Sequence, residues 1–333
     1  MSKRVGFIFR VVLAGLFCFH FHVLNGQELA PLDLSDASFE KSSEPLAGTW
    51  YFYWETFLSD TTETFTDPFQ VKLPDDWYST TEAELPAVGY GSYSQRIILP
   101  EKTGHLGLYI SHIFSSYRLI INGQVLYESG TVAKTADTYK PYREPKVIAL
   151  PTFETDTLNV LIEVANFDHY NAGMRYVLEL GDYQFLQQNL ERKQGVNLFL
   201  AGGFFITGFI LLVFAIAYRQ LNIQVTFYAL FSLSLMYRML GAFPYPLHNI
   251  ISDYSFHLAT RLEYFTIHTA VMFGGLFIFT LYPKQSNVWL KRLFLVINPV
   301  YGMIVLFAAP IYFTKTMQLF VIFILVYLFI FIY

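Results

Sequence analysis

Trp77, Tyr90, Tyr93, Arg96, Tyr139, Tyr142, Asn166 and His169 are the residues of the N-terminal half whose types best suit recognition chemistry. Each flanks a turn, so a rim built from those turns would set aromatic faces beside an amide, a guanidinium and an imidazole. An aromatic face suits the C–H side of a sugar ring, and neighbouring polar groups then fix its hydroxyls. The same side chains also serve as ordinary core and edge packing, a role that Tyr93 and Arg96, on a strand, fit best. The ligand-binding candidates are therefore Trp77, Tyr90, Tyr139, Tyr142, Asn166 and His169. His169 sits in the loop Asn166-Phe-Asp-His-Tyr-Asn171 and is expected to be exposed, where a lone histidine is usually just solvated.

A second set of polar residues lies within or beside apolar runs: Arg238, Arg261, Glu263 and His268. Ionisable groups at membrane depth are functional candidates by default. Arg238 is close to Pro244, however, and Arg261 and Glu263 open their own run, so all three reach an interface by snorkelling. Similar depth on consecutive antiparallel helices predicts that Arg238 pairs with Glu263. These residues keep a transporter in view, although no inverted repeat is visible.

Catalysis finds little support. No GxSxG elbow, HExxH pair or clustered His/Cys metal spacing is present, and Gly89-Tyr-Gly91 lacks the third glycine of a dinucleotide loop. The reading is of a binding protein without catalytic residues, metal or cofactor. Formal net charge is −4 with no long basic run, so nucleic acid is not an expected partner.

The elements that must position these residues fall into two parts. Val196–Tyr218 reads VNLFLAGGFFITGFILLVFAIAY, with no charged side chain. At ~1.5 Å per residue such a helix covers the ~30 Å hydrocarbon core with some tilt, and lipid offers its backbone no other partners. A buried helix of a large soluble protein is the alternative. Further apolar runs at 225–243, 258–282, 293–309 and 317–333 favour the membrane. Glycine pairs at Gly202-Gly203 and Gly274-Gly275 would allow close helix packing.

Before these runs, residues 27–190 carry short β-prone stretches bounded by turns, at Thr49–Glu55, Asp67–Leu73, Tyr93–Leu99, Leu106–Ser111, Leu158–Val164 and Arg175–Leu180. Asn122-Gly123 lies between two apolar runs and predicts a type I′ hairpin pairing Ile120 with Val125 and Leu119 with Leu126. A two-sheet antiparallel sandwich follows, able to fold alone, with Gln184–Gln194 linking it to the helices. Met1–Gly26, with Lys3, Arg4 and an apolar core, reads as a signal peptide, although Leu24 sits where a smaller residue is usual; an uncleaved anchor is the alternative. Cys18, the only cysteine, lies within it. Export of the sandwich puts Arg219, Lys284, Lys291 and Arg292 inside, in line with the positive-inside tendency.

LPDDW at Leu73–Trp77, GYGSY at Gly89–Tyr93, RLIINGQ at Arg118–Gln124, TYKPY at Thr138–Tyr142 and VANF at Val164–Phe167 give an order that resembles the jelly-roll sugar-binding domain of glycoside hydrolase family 2. Placed before membrane helices, such a domain is similar to the bacterial 7TM receptors with diverse intracellular signalling modules. The resemblance implies an all-β jelly-roll sensor followed by an α-helical transmembrane bundle in the bacterial inner membrane, with the sensor in the periplasm. It also implies two more spans and a signalling module beyond Tyr333. The expected partners are a small-molecule or saccharide ligand and membrane lipid, with a second copy of the chain as a further candidate. A membrane-anchored carbohydrate-binding protein is the remaining alternative.

Overall fold

The computed structural model describes residues 29–60, 67–78, 85–153, 155–218, 223–251, 254–284 and 287–332, and among these described residues eleven short strands precede six helices. The expectations for Met1–Gly26 and Arg219 lie outside the described residues. Residues 31–333 make one compact unit.

The strands are β1 (Leu32–Asp33), β2 (Ser43–Pro45), β3 (Gly48–Trp54), β4 (Phe69–Leu73), β5 (Gly89–Ile98), β6 (Leu106–Ile110), β7 (Ser116–Ile121), β8 (Gln124–Ser129), β9 (Lys146–Ala149), β10 (Thr157–Asn166) and β11 (Glu179–Asp182). They form two sheets, a seven-stranded one ordered β4-β3-β5-β10-β7-β8 with β1 beside β5, and a four-stranded one ordered β2-β11-β6-β9. All pairings are antiparallel except β1 with β5. Alternation along the strands explains the layering. Trp50 and Phe52 of β3, Val160 and Ile162 of β10, and Leu108 and Ile110 of β6 point into one shared core. Each such side chain contributes ~1.5–3 kcal/mol on burial.

The hairpin forms at the predicted turn, with Asn122 at φ 49° and Gly123 at φ 80°, the conformation that type I′ requires. Ile120 pairs with Val125 as expected, but Leu119 faces Tyr127 rather than Leu126. The register shifts between Leu119 and Ile120 because β8 carries Leu126 as an extra residue, while Tyr117, Leu119 and Ile121 of β7 keep their alternation into the core.

The helices are α1 (Tyr183–Ala217), α2 (Ile223–Gly241), α3 (Pro246–Ile250), α4 (Phe256–Leu281), α5 (Val288–Phe307) and α6 (Pro310–Ile332). Five of them, all but α3, are long and apolar enough to cross a membrane. The stretch Gln184–Gln194, expected as a linker, is instead the first third of α1. Asp182, the last residue of β11, caps this helix by accepting a hydrogen bond from the Phe185 amide at 2.8 Å. Leu186 and Leu190 then pack on Tyr109 and Val147, on the outer face of the small sheet. The polar composition of this segment concealed an apolar stripe at i, i+4 spacing.

The glycine pairs behave differently from expectation. Among the described residues nothing lies within 4 Å of a Cβ built on Gly202 or Gly203, whereas one on Gly208 meets Ala229 and Leu233 of α2. Gly274 and Gly275 do sit at close approaches, to Phe231 and Phe294.

Candidate functional site

The loop that follows β10 is tied down by Asn166. Its side-chain Nδ2 donates to the carbonyls of Ala87 (2.7 Å) and His169 (2.6 Å). Its Oδ1 accepts from Ser115 Oγ (2.5 Å) and the His169 amide (3.1 Å). All of its hydrogen-bonding capacity is thereby directed into the protein, and its role here is structural. The loop it holds projects onto the helices, so His169 is fully buried, contrary to the expected exposure. Its ring stacks on Phe114 at 3.9 Å, Nδ1 accepts from the Asn171 amide at 3.0 Å, and Nε2 lies 3.3 Å from the Tyr264 hydroxyl of α4. Next to it, the Tyr170 amide donates to Thr314 Oγ1 of α6 at 3.0 Å.

Trp77 is likewise in the core rather than at a rim. Phe52 stacks against it and Trp54 meets it edge-on, while its Nε1 donates to the Tyr93 hydroxyl at 2.9 Å. Tyr93 in turn donates to Asp75 Oδ2 at 3.0 Å, and burial pushes the Asp75 carboxyl up to about 6. Tyr139 is buried against Phe167, and Tyr90 packs on Phe57. Tyr142 is half-buried and meets the His248 ring of α3 edge-on. Arg96 is an exposed strand residue of β5, opposite Asn159. A solvent-facing aromatic rim therefore does not form from these residues. Their alternation and turn-flanking positions carried no information about which side the helices cover.

The residues that do converge lie where the sandwich meets α2, α3 and α4. A cavity of about 280 Å³ is lined from the sandwich by His112, Phe114, Arg143, Asn171, Arg175 and Tyr176, and from the helical part by Arg238, Ala242, Phe243, Tyr245, Glu263 and Tyr264. Arg143 follows the TYKPY motif and has only 2% of its side chain exposed. Its Nη2 donates to Glu263 Oε2 at 2.6 Å, and its guanidinium lies over the rings of Tyr245 (4.5 Å) and Phe114 (5.3 Å). Those faces supply cation–π attraction that offsets part of the cost of burying the charge. Arg143 Nε is buried with no partner among the described residues.

Glu263 also meets Arg238, as expected. Arg238 Nη1 donates to the Glu263 carbonyl at 3.0 Å and stands 3.7 Å from its carboxylate. The tighter partner is Arg143, which sequence reading missed because it lies 120 positions away on another element. Arg175 pairs with Asp76 at 2.9 Å. Burial, followed by the charge of Arg143, brings the His112 imidazole down to about 3. The same two causes hold His169 well below the ordinary histidine range, so both rings are neutral at pH 7.

The other polar candidates of the apolar helices, Arg261 and His268, bond and pack within the helical part. Arg261 Nη1 donates to the carbonyls of Val305 (2.8 Å) and Leu306 (2.9 Å), capping the end of α5. His268 is buried against Tyr301 and Phe320. Among the described residues no cluster of His, Cys, Asp and Glu suited to a metal ion occurs.

No protein-family model matches the chain, so a match to the 7TM receptor family is not found. No curated protein matches it either. Among solved structures it is weakly similar to a GH2 β-galacturonidase from Eisenbergiella tayi, at TM-score 0.32 and 13% identity over 42% of this chain and 24% of that one. A β-glucuronidase from Ruminococcus gnavus gives TM-score 0.33 and 13% identity over 46% and 29%. A β-glucuronidase from Bifidobacterium dentium gives TM-score 0.33 and 14% identity over 42% and 29%. The chain thus spans less than a third of the length of these enzymes, and similarity at this level carries no argument about ligand or activity. What stands is a β sandwich followed by five helices long enough to cross a membrane, with a polar cavity where the two meet.

Proposed function

We propose that this chain is a multi-pass membrane receptor that senses a small extracytoplasmic molecule in the cavity between its sandwich and its helices. The observation that carries the reading is the position of Glu263, held by Arg143 from the sandwich and by Arg238 from α2. A molecule that occupies this cavity touches both parts at once. It favours whichever arrangement of sandwich against helices binds it better, which is the thermodynamic requirement for signalling. A binding role without catalysis in these residues fits the chemistry of the lining, and the resemblance of Met1–Gly26 to a signal peptide supports a sandwich outside the cytoplasm.

The test is a thermal-stability screen of small polar metabolites against the full chain in lipid nanodiscs. A stabilising compound is expected whose effect disappears in both Arg143→Gln and Arg238→Gln, one residue from each part. Stabilisation that survives both substitutions, or accumulation of the compound inside vesicles containing only this protein, would contradict the receptor reading; the second result identifies a transporter.

A further inference from the structure

The cavity already recognises one carboxylate, that of Glu263. Its two oxygens are divided between Arg143 Nη2 at 2.6 Å and Arg238 Nη1 at 3.7 Å, a short bond on one side and a long contact on the other. The lining holds more cation than Glu263 neutralises. Among the described residues Arg143 and Arg238 share Glu263 and Arg175 pairs with Asp76 at 2.9 Å, so three guanidinium groups meet two carboxylates. Arg143 also has a buried donor, Nε, with no acceptor among the described residues. A planar guanidinium fork with a free edge is matched by a carboxylate, which can accept two parallel N–H groups. Around this polar centre stand Phe114, Tyr245 and Tyr264, while Tyr176 and Phe243 are 49% and 41% exposed at its rim. The volume of 280 Å³ lies at the small end for ligand pockets and suits one ring or a short carbon chain.

We propose that the ligand is a small carboxylate that displaces Glu263 from between Arg143 and Arg238. This rests on the receptor reading and gives it a chemical class and a trigger. Glu263 is an internal stand-in that ties α4 to the sandwich through Arg143. An incoming carboxylate takes over the guanidinium of Arg143 and releases Glu263 from that tie. Binding and loss of the contact between the two parts are then a single event. Because Glu263 competes from within, the apparent affinity of the wild type is lowered by the fraction of time that the arginines are free.

The experiment measures binding of succinate, benzoate, D-glucuronate, inorganic phosphate and D-glucose to the full chain in nanodiscs by calorimetry. At least one of the three carboxylates is expected to bind while D-glucose does not. Glu263→Gln, which removes the competitor and keeps the shape, should tighten carboxylate binding by about tenfold if the arginines are free roughly a tenth of the time. Arg143→Gln should abolish it. A gain in Glu263→Gln cannot arise from misfolding, so the proposal remains testable even if Arg143→Gln fails to fold. D-glucose binding as well as D-glucuronate, with no gain in Glu263→Gln, would overturn the carboxylate class and leave the receptor reading standing. Phosphate binding with all three carboxylates silent would do the same. No carboxylate binding to Glu263→Gln would also overturn the inference. Binding indifferent to both Arg143→Gln and Arg238→Gln would remove the receptor reading with it.

Discussion

Arg143 and Glu263 are almost withdrawn from solvent, at 2% and 13% side-chain exposure, and each is the other's closest charged partner. Removing one leaves the other buried and uncompensated, which costs about 3–5 kcal/mol for such pairs, whereas removing both costs much less. Arg143→Leu and Glu263→Leu should therefore each lower the stability of the full chain in detergent sharply. The double variant should lie well above the sum of the two losses; additive effects would mean that the pair does not interact. A second prediction concerns His112. Its folded pKa of about 3 lies below the ordinary 6.5, so the unfolded chain binds the proton first as pH falls. The contribution is complete above pH 6.5 and is lost toward pH 3, at up to ~1.4 kcal/mol per pH unit. Asp75 acts in the opposite sense. Its folded pKa of about 6 exceeds the ordinary 3.8, so stability falls as pH rises through that window. Comparing wild type with His112→Gln across pH 4.5 to 7 isolates the histidine, and the variant should lose stability less steeply on acidification. At this scale the sequence disclosed Arg238 and Glu263, because depth along antiparallel helices is countable from the apolar runs. It did not disclose Arg143, His112 or Arg175, whose importance depends on a docking surface that no local pattern encodes. The extra signal available was Arg143 itself, a cation next to the TYKPY aromatics and flanked by Pro141 and Pro145.

Continuity between β11 and α1 is the main mechanical feature of the elements. Asp182 ends the strand and caps the helix, and the helix runs without interruption from the small sheet into the long apolar segment. A single helix therefore joins the small sheet to the apolar segment. Asp182→Ala should cost about 1 kcal/mol, the usual worth of an N-cap, measurable by thermal unfolding of the full chain. No change would mean that the cap is replaceable by water at this junction. The strands around Trp50, Val71 and Ile120 and the Asn122-Gly123 turn were legible because alternation and turn chemistry are local. The bulge at Leu126 and the helical state of Gln184–Gln194 were not. Both depend on what lies across from them: the core against which Leu126 and Tyr127 of β8 pack, and the outer face of the small sheet that claims Leu186 and Leu190.

For the molecule as a whole, a β sandwich followed by apolar helices was readable from strand and turn patterning in the first half and from the thinning of charges after Gln194. How the two parts meet was not. The loop held by Asn166 projects His169 and Tyr170 onto α4 and α6, and residues expected to face solvent are covered by helices instead. The central claim is that a ligand between the two parts alters their arrangement. Its most direct test is pulsed electron–electron resonance on the full chain in nanodiscs, with Cys18 replaced by Ser and spin labels at Val125→Cys on β8 and Leu281→Cys at the far end of α4, both exposed positions. Saturating D-glucuronate, or whichever small carboxylate binds most tightly, should shift the distance distribution, and Glu263→Gln should move it in the same direction without ligand. An unchanged distribution in the presence of demonstrably bound carboxylate would contradict the account.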